Sequence, residues 1–149
     1  MDLVYIIICG IAGTSAMSFV MWFITKEGIA NADMLRAIGS IFTDDKSAFS
    51  TGLSIHYIFG IVLAFVYLLI ISLFQPQSLW AYTGLGAMIG LFHGVAFAFL
   101  LVVVVAEHHP KESFREAGLE VALAHLGGHV VYGLVVGLVA GVFAVKILL

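Results

Sequence analysis

The chain has 149 residues, 62% hydrophobic and 10% charged, with a net charge of -3 and a mean hydropathy of +1.16. Soluble domains carry about 25% charged residues, so this composition specifies an integral membrane protein, and the length holds one transmembrane domain, 1–149. The small acidic balance gives no sign of a nucleic-acid partner, and a single cysteine, Cys9, excludes an intramolecular disulfide and a zinc-finger framework.

A membrane span needs about 20 predominantly apolar residues, and four stretches supply it. The first covers about 3–25. Its acidic start, "MD", lacks the basic region and cleavage site of a signal peptide, so it reads as a retained helix. The connection that follows, Lys26 to Ser50, is the longest. Within it "NADMLRAIGSIF" places Met34, Leu35, Ile38, Ile41 and Phe42 on one face, the spacing of a short amphipathic helix lying in the interface. "TDDKS" then reads as a turn. The second span, about 53–74, ends in the tight polar turn "QPQS" with Pro76 as breaker. The third covers about 79–106 and runs into the charged loop "EHHPKESFREAG"; the fourth covers about 121–148. There is no convincing internal repeat and no low-complexity segment. The expected fold is therefore all-α: a four-helix membrane bundle with a short amphipathic interfacial helix between helices 1 and 2.

Lysine and arginine set the expected orientation. The side with both long loops carries Lys26, Arg36, Lys46, Lys111 and Arg115, against Lys146 alone on the other. That side is expected to be cytoplasmic, with both termini outside. Trp22 and Trp80 sit near span ends, where interfacial anchors belong.

Lipid tails are as apolar as leucine, so membrane helices associate through close packing of small residues. Each span carries such a face. The fourth has Gly133, Gly137 and Gly141; the third Gly86, Gly90 and Gly94; the second Gly52, Gly60 and Ala64; the first Gly10, Thr14 and Ser18. The histidines follow the same faces. Stepping back by four from Gly133 gives His129 and His125, His56 lies midway between Gly52 and Gly60, and His93 stands three residues after Gly90. Four imidazoles on three helices are thus expected to point inward, because an imidazole facing lipid has no partner. At 1.5 Å per residue, His56 lies roughly 5–8 Å below the loop-side surface, His125 roughly 8–11 Å, His129 roughly 15 Å and His93 roughly 20 Å. Glu107, His108, His109 and Glu120 stand at the mouth above them.

Three kinds of chemistry suit such a column. Imidazole and carboxylate ligate iron, copper, zinc or manganese, and helical bundles build metal sites from facing helices. His125 and His129, four apart, could turn two imidazoles to one ion, with His56, His93, Glu107, His108 and Glu120 as further ligands or their supports. A b-type haem needs two axial imidazoles from facing helices and small neighbours beside the macrocycle; His56 with His125, and His93 with His129, are the level pairs. A proton or ion relay would also use Glu and His, but below His93 the interior holds no acid until Asp2, so local chemistry fits better than full conduction.

The plain readings stand beside these. Paired interior histidines serve as hydrogen-bonding glue between helices about as often as they serve function. His108 and His109, followed by Pro110, suit a helix C-terminus. Glu112, Glu116, Lys111 and Arg115 suit a solvated loop face. Met17, Met21 and Met88 suit packing, as do Tyr57, Tyr67 and Tyr132. The glycine stripes need no role beyond close approach. A chain of this size, with a glycine face left over, would also suit an accessory subunit of a larger, respiratory-type membrane complex, or a homo-oligomer.

Through "NADMLRAIGSIF", "GLFHGVAFAF", "HP" and "HLGGHVVYGLVVG", the chain resembles a group of small four-span prokaryotic membrane proteins of unknown function. The resemblance covers nearly the whole chain and implies the four-helix topology, but no activity. "EHHP" and "HLGGH" look superficially like histidine boxes of membrane desaturases, which carry more boxes and larger cytosolic caps. The functional expectation is a His-rich metal or haem site in the loop-side half, with a redox or metal-handling role. No nucleophile stands out, so enzyme status is left open.

Overall fold

The computed structural model describes residues 2–100, 108–115 and 118–148, and among them every regular element is helical. Helix α1 spans Leu3–Lys26, α2 Met34–Ser40, α3 Ala48–Phe74, α4 Leu79–Leu100 and α5 Leu119–Leu148, with one 3-10 turn at Glu112–Phe114. The long helices α1, α3, α4 and α5 are each long and apolar enough to cross a bilayer. Their exposed faces carry large hydrophobics such as Phe19, Phe59, Phe65, Phe92 and Phe99, as expected where the solvent is acyl chain.

Local chemistry sets most of the ends. The Asp2 carboxylate accepts from the Val4 amide and caps α1, and Asp33 accepts from the Arg36 amide at the start of α2. Gln75 ends α3 in the left-handed conformation, φ 45°, just before Pro76. Two elements differ from the sequence reading, and the expected end of the third span, 101–106, lies outside the described residues. α3 begins at Ala48, five residues before the apolar run, because its first turn is held by contact with α2 rather than by lipid. α2 is only seven residues long, so Ile41 and Phe42 follow it in an exposed turn instead of extending its apolar face.

The packing is not that of a square bundle. α4 lies along α5, α5 packs on α1, and α1 packs on α3, while α3 touches α4 and α5 very little. The layer order is α3, α1, α5, α4. Glycines make each seam. On the α4–α5 seam a Cβ at Gly86 would lie 3.0 Å from the Gly137 backbone, and one at Gly90 would lie 3.0 Å from Val130 Cα. One at Gly94 would meet Leu126, and one at Gly141 would meet Leu79 and Tyr82. On the α1–α3 seam Gly10 faces Ile61, and Gly60 receives the Thr14 side chain. Gly13 and Gly128 join α1 to α5 against Tyr132, Val136, Met17 and Met21. Gly39 and Gly52 bring α2 onto the first turns of α3, backbone against backbone. The core between these layers is formed by Cys9, Met17, Met21, Ala64, Tyr67, Tyr132, Val136 and Ala140, all buried.

Candidate functional site: a histidine-lined cavity

The layer order separates α3 from α4, and a cavity of about 360 Å³ lies between them on the loop side. α3 supplies one wall through Ile55, His56, Phe59 and Leu63. α5 supplies the opposite wall through Val121, His125, His129 and Tyr132. α4 contributes Phe97 and Leu100 at the rim, and Met17 of α1 and Gly60 form the floor. α2 covers the loop-side end through Met34, Ala37 and Ile38, together with His109, Ser113 and Phe114 from the loop before α5. The lining is almost wholly apolar apart from the imidazoles, the Tyr132 hydroxyl, and a polar rim of Asn31, Asp33 and Ser113.

The helix starts explain why three imidazoles share this space. His56 lies eight residues into α3 and His125 and His129 six and ten residues into α5. At 1.5 Å per residue these are roughly 12, 9 and 15 Å along their helices. The early start of α3 therefore sets His56 farther from its helix start than its apolar run alone suggests. His56, His125 and His129 line the same cavity, and the His129 ring contacts that of His93. His125 and His129 are buried, and His56 and His93 are partly buried.

Each ring has a distinct bonding state. His125 donates from Nδ1 to the Val121 carbonyl, one turn back, at 2.8 Å. That bond places the proton on Nδ1 and leaves Nε2 as a lone-pair nitrogen, the arrangement in which a carbonyl partner fixes the tautomer of a ligating imidazole. His56 Nε2 is buried and has no hydrogen-bond partner among the described residues. His93 shares a 2.9 Å hydrogen bond between Nδ1 and the Tyr67 hydroxyl, and its Nε2 is likewise buried without a partner. A buried nitrogen left this way costs about 1–3 kcal/mol; of the two, His56 belongs to a residue that lines the cavity and His93 does not. His129 is held by ring contacts, with centroids 4.3 Å from His93 and 5.1 Å from Phe97.

The other residues marked by the sequence lie elsewhere. Glu120 is exposed, with its carboxylate over Gly118, and His108 is exposed; neither is part of the cavity wall. Glu107 lies outside the described residues. Among the described residues no three His, Cys, Asp or Glu side chains form a group that could hold a metal ion. His93 and His129 are in ring contact, which leaves no slot for a macrocycle between them.

The sequence placed His109 at the mouth and Tyr67 and Tyr132 in the packing, but not the bonds they make. His109 is buried; its Nε2–H donates to the Ala37 carbonyl at 3.0 Å, its Nδ1 accepts from the Lys111 amide at 3.1 Å, and so it fastens the loop to α2. An ion pair between Lys111 and Asp45, and the Arg115 Nε–H bond to the His109 carbonyl at 2.6 Å, hold the same loop. Tyr67 orients His93, and Tyr132 donates to the Gly60 carbonyl at 2.6 Å, joining α5 to α3 across the cavity floor. Both tyrosines continue the stripes that begin with histidine and glycine, and that continuation was the available signal. No family model, curated protein or solved structure matches the chain.

Proposed function

We propose that this small multi-pass membrane protein holds a redox or metal-handling cofactor in the histidine-lined cavity, and that the cofactor is a b-type haem rather than a bare transition metal. The observation that supports it is the pairing of His56 and His125. They stand on facing walls of one cavity, one with a buried unpartnered Nε2 and the other with Nε2 freed by the Nδ1 bond to Val121. Two axial imidazoles from facing helices are one way to hold a b-type haem, whereas a bare zinc ion calls for three or four ligands, and no group of three or more His, Cys, Asp or Glu that could hold a metal ion exists among the described residues. His129, Phe97 and Tyr132 would then be wall contacts, and Tyr67 with His93 a hydrogen-bonded support beside them. The long-loop side is the cytoplasmic side on this reading, following the five-to-one bias of lysine and arginine. The second reading is an accessory subunit of a larger membrane complex; the exposed Gly84 and the open Gly127 have nothing within 4 Å of a Cβ and would leave room for a neighbouring helix.

The test is a visible spectrum and metal analysis of protein purified in detergent after growth with haem precursor. A Soret band lost in both His56→Ala and His125→Ala, and kept in Glu120→Ala, is the expected result. Stoichiometric metal without a Soret band would point to a bare site, and neither signal, before or after adding hemin, would remove the cofactor reading.

A further inference from the structure

The chain turns back directly after α1, and the turn builds a second hollow on the loop side. Gly28 takes the left-handed conformation, φ 69°. The Thr25 hydroxyl donates to the Met21 carbonyl at 3.0 Å and accepts from the Ala32 amide at 3.1 Å, which holds the returning segment against α1. Asp33 then caps α2 through Oδ1 and pairs with Arg36 Nε through Oδ2 at 3.1 Å. Between the end of α1, one side of α2 and the first turn of α3 lies a groove of about 310 Å³, with Trp22, Thr25, Arg36 and Phe49 among its walls. α2 stands between this groove and the histidine cavity, and its Met34 reaches both. Two cations are set over aromatic rings here. Lys26 Nζ lies 4.8 Å from the Trp22 ring centroid, and the Arg36 guanidinium 5.6 Å from that of Phe49. Trp22 is 54% and Phe49 45% exposed, at the ends of two spans, the level of the lipid head groups.

We infer that this groove seats a phospholipid of the loop-side leaflet with a net anionic head, its phosphate between Lys26 and Arg36 and its chains against Trp22 and Phe49. The charge balance favours an anion. Both Asp33 oxygens are engaged within α2, by the Arg36 amide and by Arg36 Nε. Lys26 is in no ion pair among the described residues, and its neighbour Glu27 is exposed and outside the groove wall. The pair with Asp33 uses Nε and leaves the Arg36 Nη groups, whose planar donors match two phosphate oxygens at once. Basic pockets between membrane helices hold anionic head groups in this way. Exposed aromatic rings one turn inside the cations suit the ester and upper acyl region of the same molecule. The lipid site is separate from the histidine cavity and does not depend on its cofactor.

Native mass spectrometry of the delipidated full chain in detergent tests this, with phosphatidylglycerol, phosphatidylcholine of the same acyl chains, and inorganic phosphate as probes. Phosphatidylglycerol is expected to bind more tightly than phosphatidylcholine. Each cation removed should weaken it about fivefold, so Lys26→Gln loses about fivefold and Lys26→Gln with Arg36→Gln about thirtyfold. Lys46→Gln, at an exposed lysine outside the groove wall, should leave binding unchanged. Equal binding of phosphatidylcholine would show that the head-group charge is not read and would overturn the inference. So would phosphatidylglycerol binding that survives the double substitution, or no bound lipid at all. Displacement of the lipid by excess inorganic phosphate would show a free-phosphate site and overturn it too. Lys26→Gln breaks no ion pair among the described residues, so it reads the site even if the double variant fails to fold.

Discussion

The α4–α5 seam makes the sharpest quantitative demand on the structure. A Cβ added at Gly133 would lie 3.0 Å from the Gly86 carbonyl carbon and 3.0 Å from Tyr67 Cε1, and closer still to the Gly86 carbonyl oxygen. Ordinary contact begins at 3.4 Å, and the obstacle is backbone, which cannot swing aside. The two helices must separate locally, and the seam is continuous with the contacts at Gly90 and Gly137, so separation at one point loosens its neighbours. Overpacking of this kind costs about 1–3 kcal/mol. A radial gap of 0.5–1 Å forfeits about a quarter to a half of the dispersion energy of the atoms that part. Against this, replacing a helical glycine by alanine gains about 0.5–1 kcal/mol. Gly133→Ala is therefore expected to destabilise by about 1–2 kcal/mol net. Gly84 provides the control. It is exposed on the same α4 helix, with nothing within 4 Å of a Cβ, so Gly84→Ala is expected to stabilise by up to about 1 kcal/mol. The two variants should differ by about 2 kcal/mol, or roughly thirtyfold in the unfolding equilibrium. Reversible unfolding in mixed micelles, followed by far-UV circular dichroism, reads the difference. Equal stabilities, or Gly133→Ala above Gly84→Ala, would refute close backbone contact along this seam.

Other residues make smaller or more local demands. Tyr132→Phe removes the 2.6 Å bond to the Gly60 carbonyl, and interhelical hydrogen bonds in membranes average about 0.6 kcal/mol and reach about 1.7; the same micelle titration should find a loss within that span, and no loss would mean that the bond is absent. Tyr67→Phe should act mainly on His93, moving its ring resonances in NMR spectra while the His125 resonances stay in place, because only His93 bonds to Tyr67. His109→Ala removes two backbone anchors of the 108–115 loop, so amides of that loop and of α2 should exchange at least tenfold faster while those of α1 and α5 hold their protection; unchanged α2 exchange would count against the fastening role. Gly39→Leu should detach α2 from α3 without unfolding the long helices, and limited proteolysis should then cut between residues 28 and 47 where the parent chain resists.

How much of this was legible beforehand depends on which forces operate in lipid. The histidine at position 56 was readable as inward-facing because Gly52 and Gly60 flank it on one helical stripe, and a polar ring on a small-residue face has nowhere else to go. The bonding state of each ring was not readable. The partner of His93 is 26 residues away on another helix, and the partner of His109 is 72 residues away. His109 in particular looks like a helix-end residue in sequence and is a buried fastener in space, since its partner is a backbone carbonyl of α2, a contact that no sequence pattern marks.

The amino-acid sequence alone decided the class of protein, the four apolar spans and the small faces on which they meet, because in a bilayer apolar length and close backbone approach leave few alternatives. It did not decide which small face meets which. All four spans carry one, and the sequence gives no pairing among them. The tertiary structure sends α4 to α5 and α3 to α1, where the glycine and side-chain shapes interlock, although only a tight turn joins α3 to α4. That choice depends on complementarity between surfaces distant in sequence, and it creates the cavity that the histidines share.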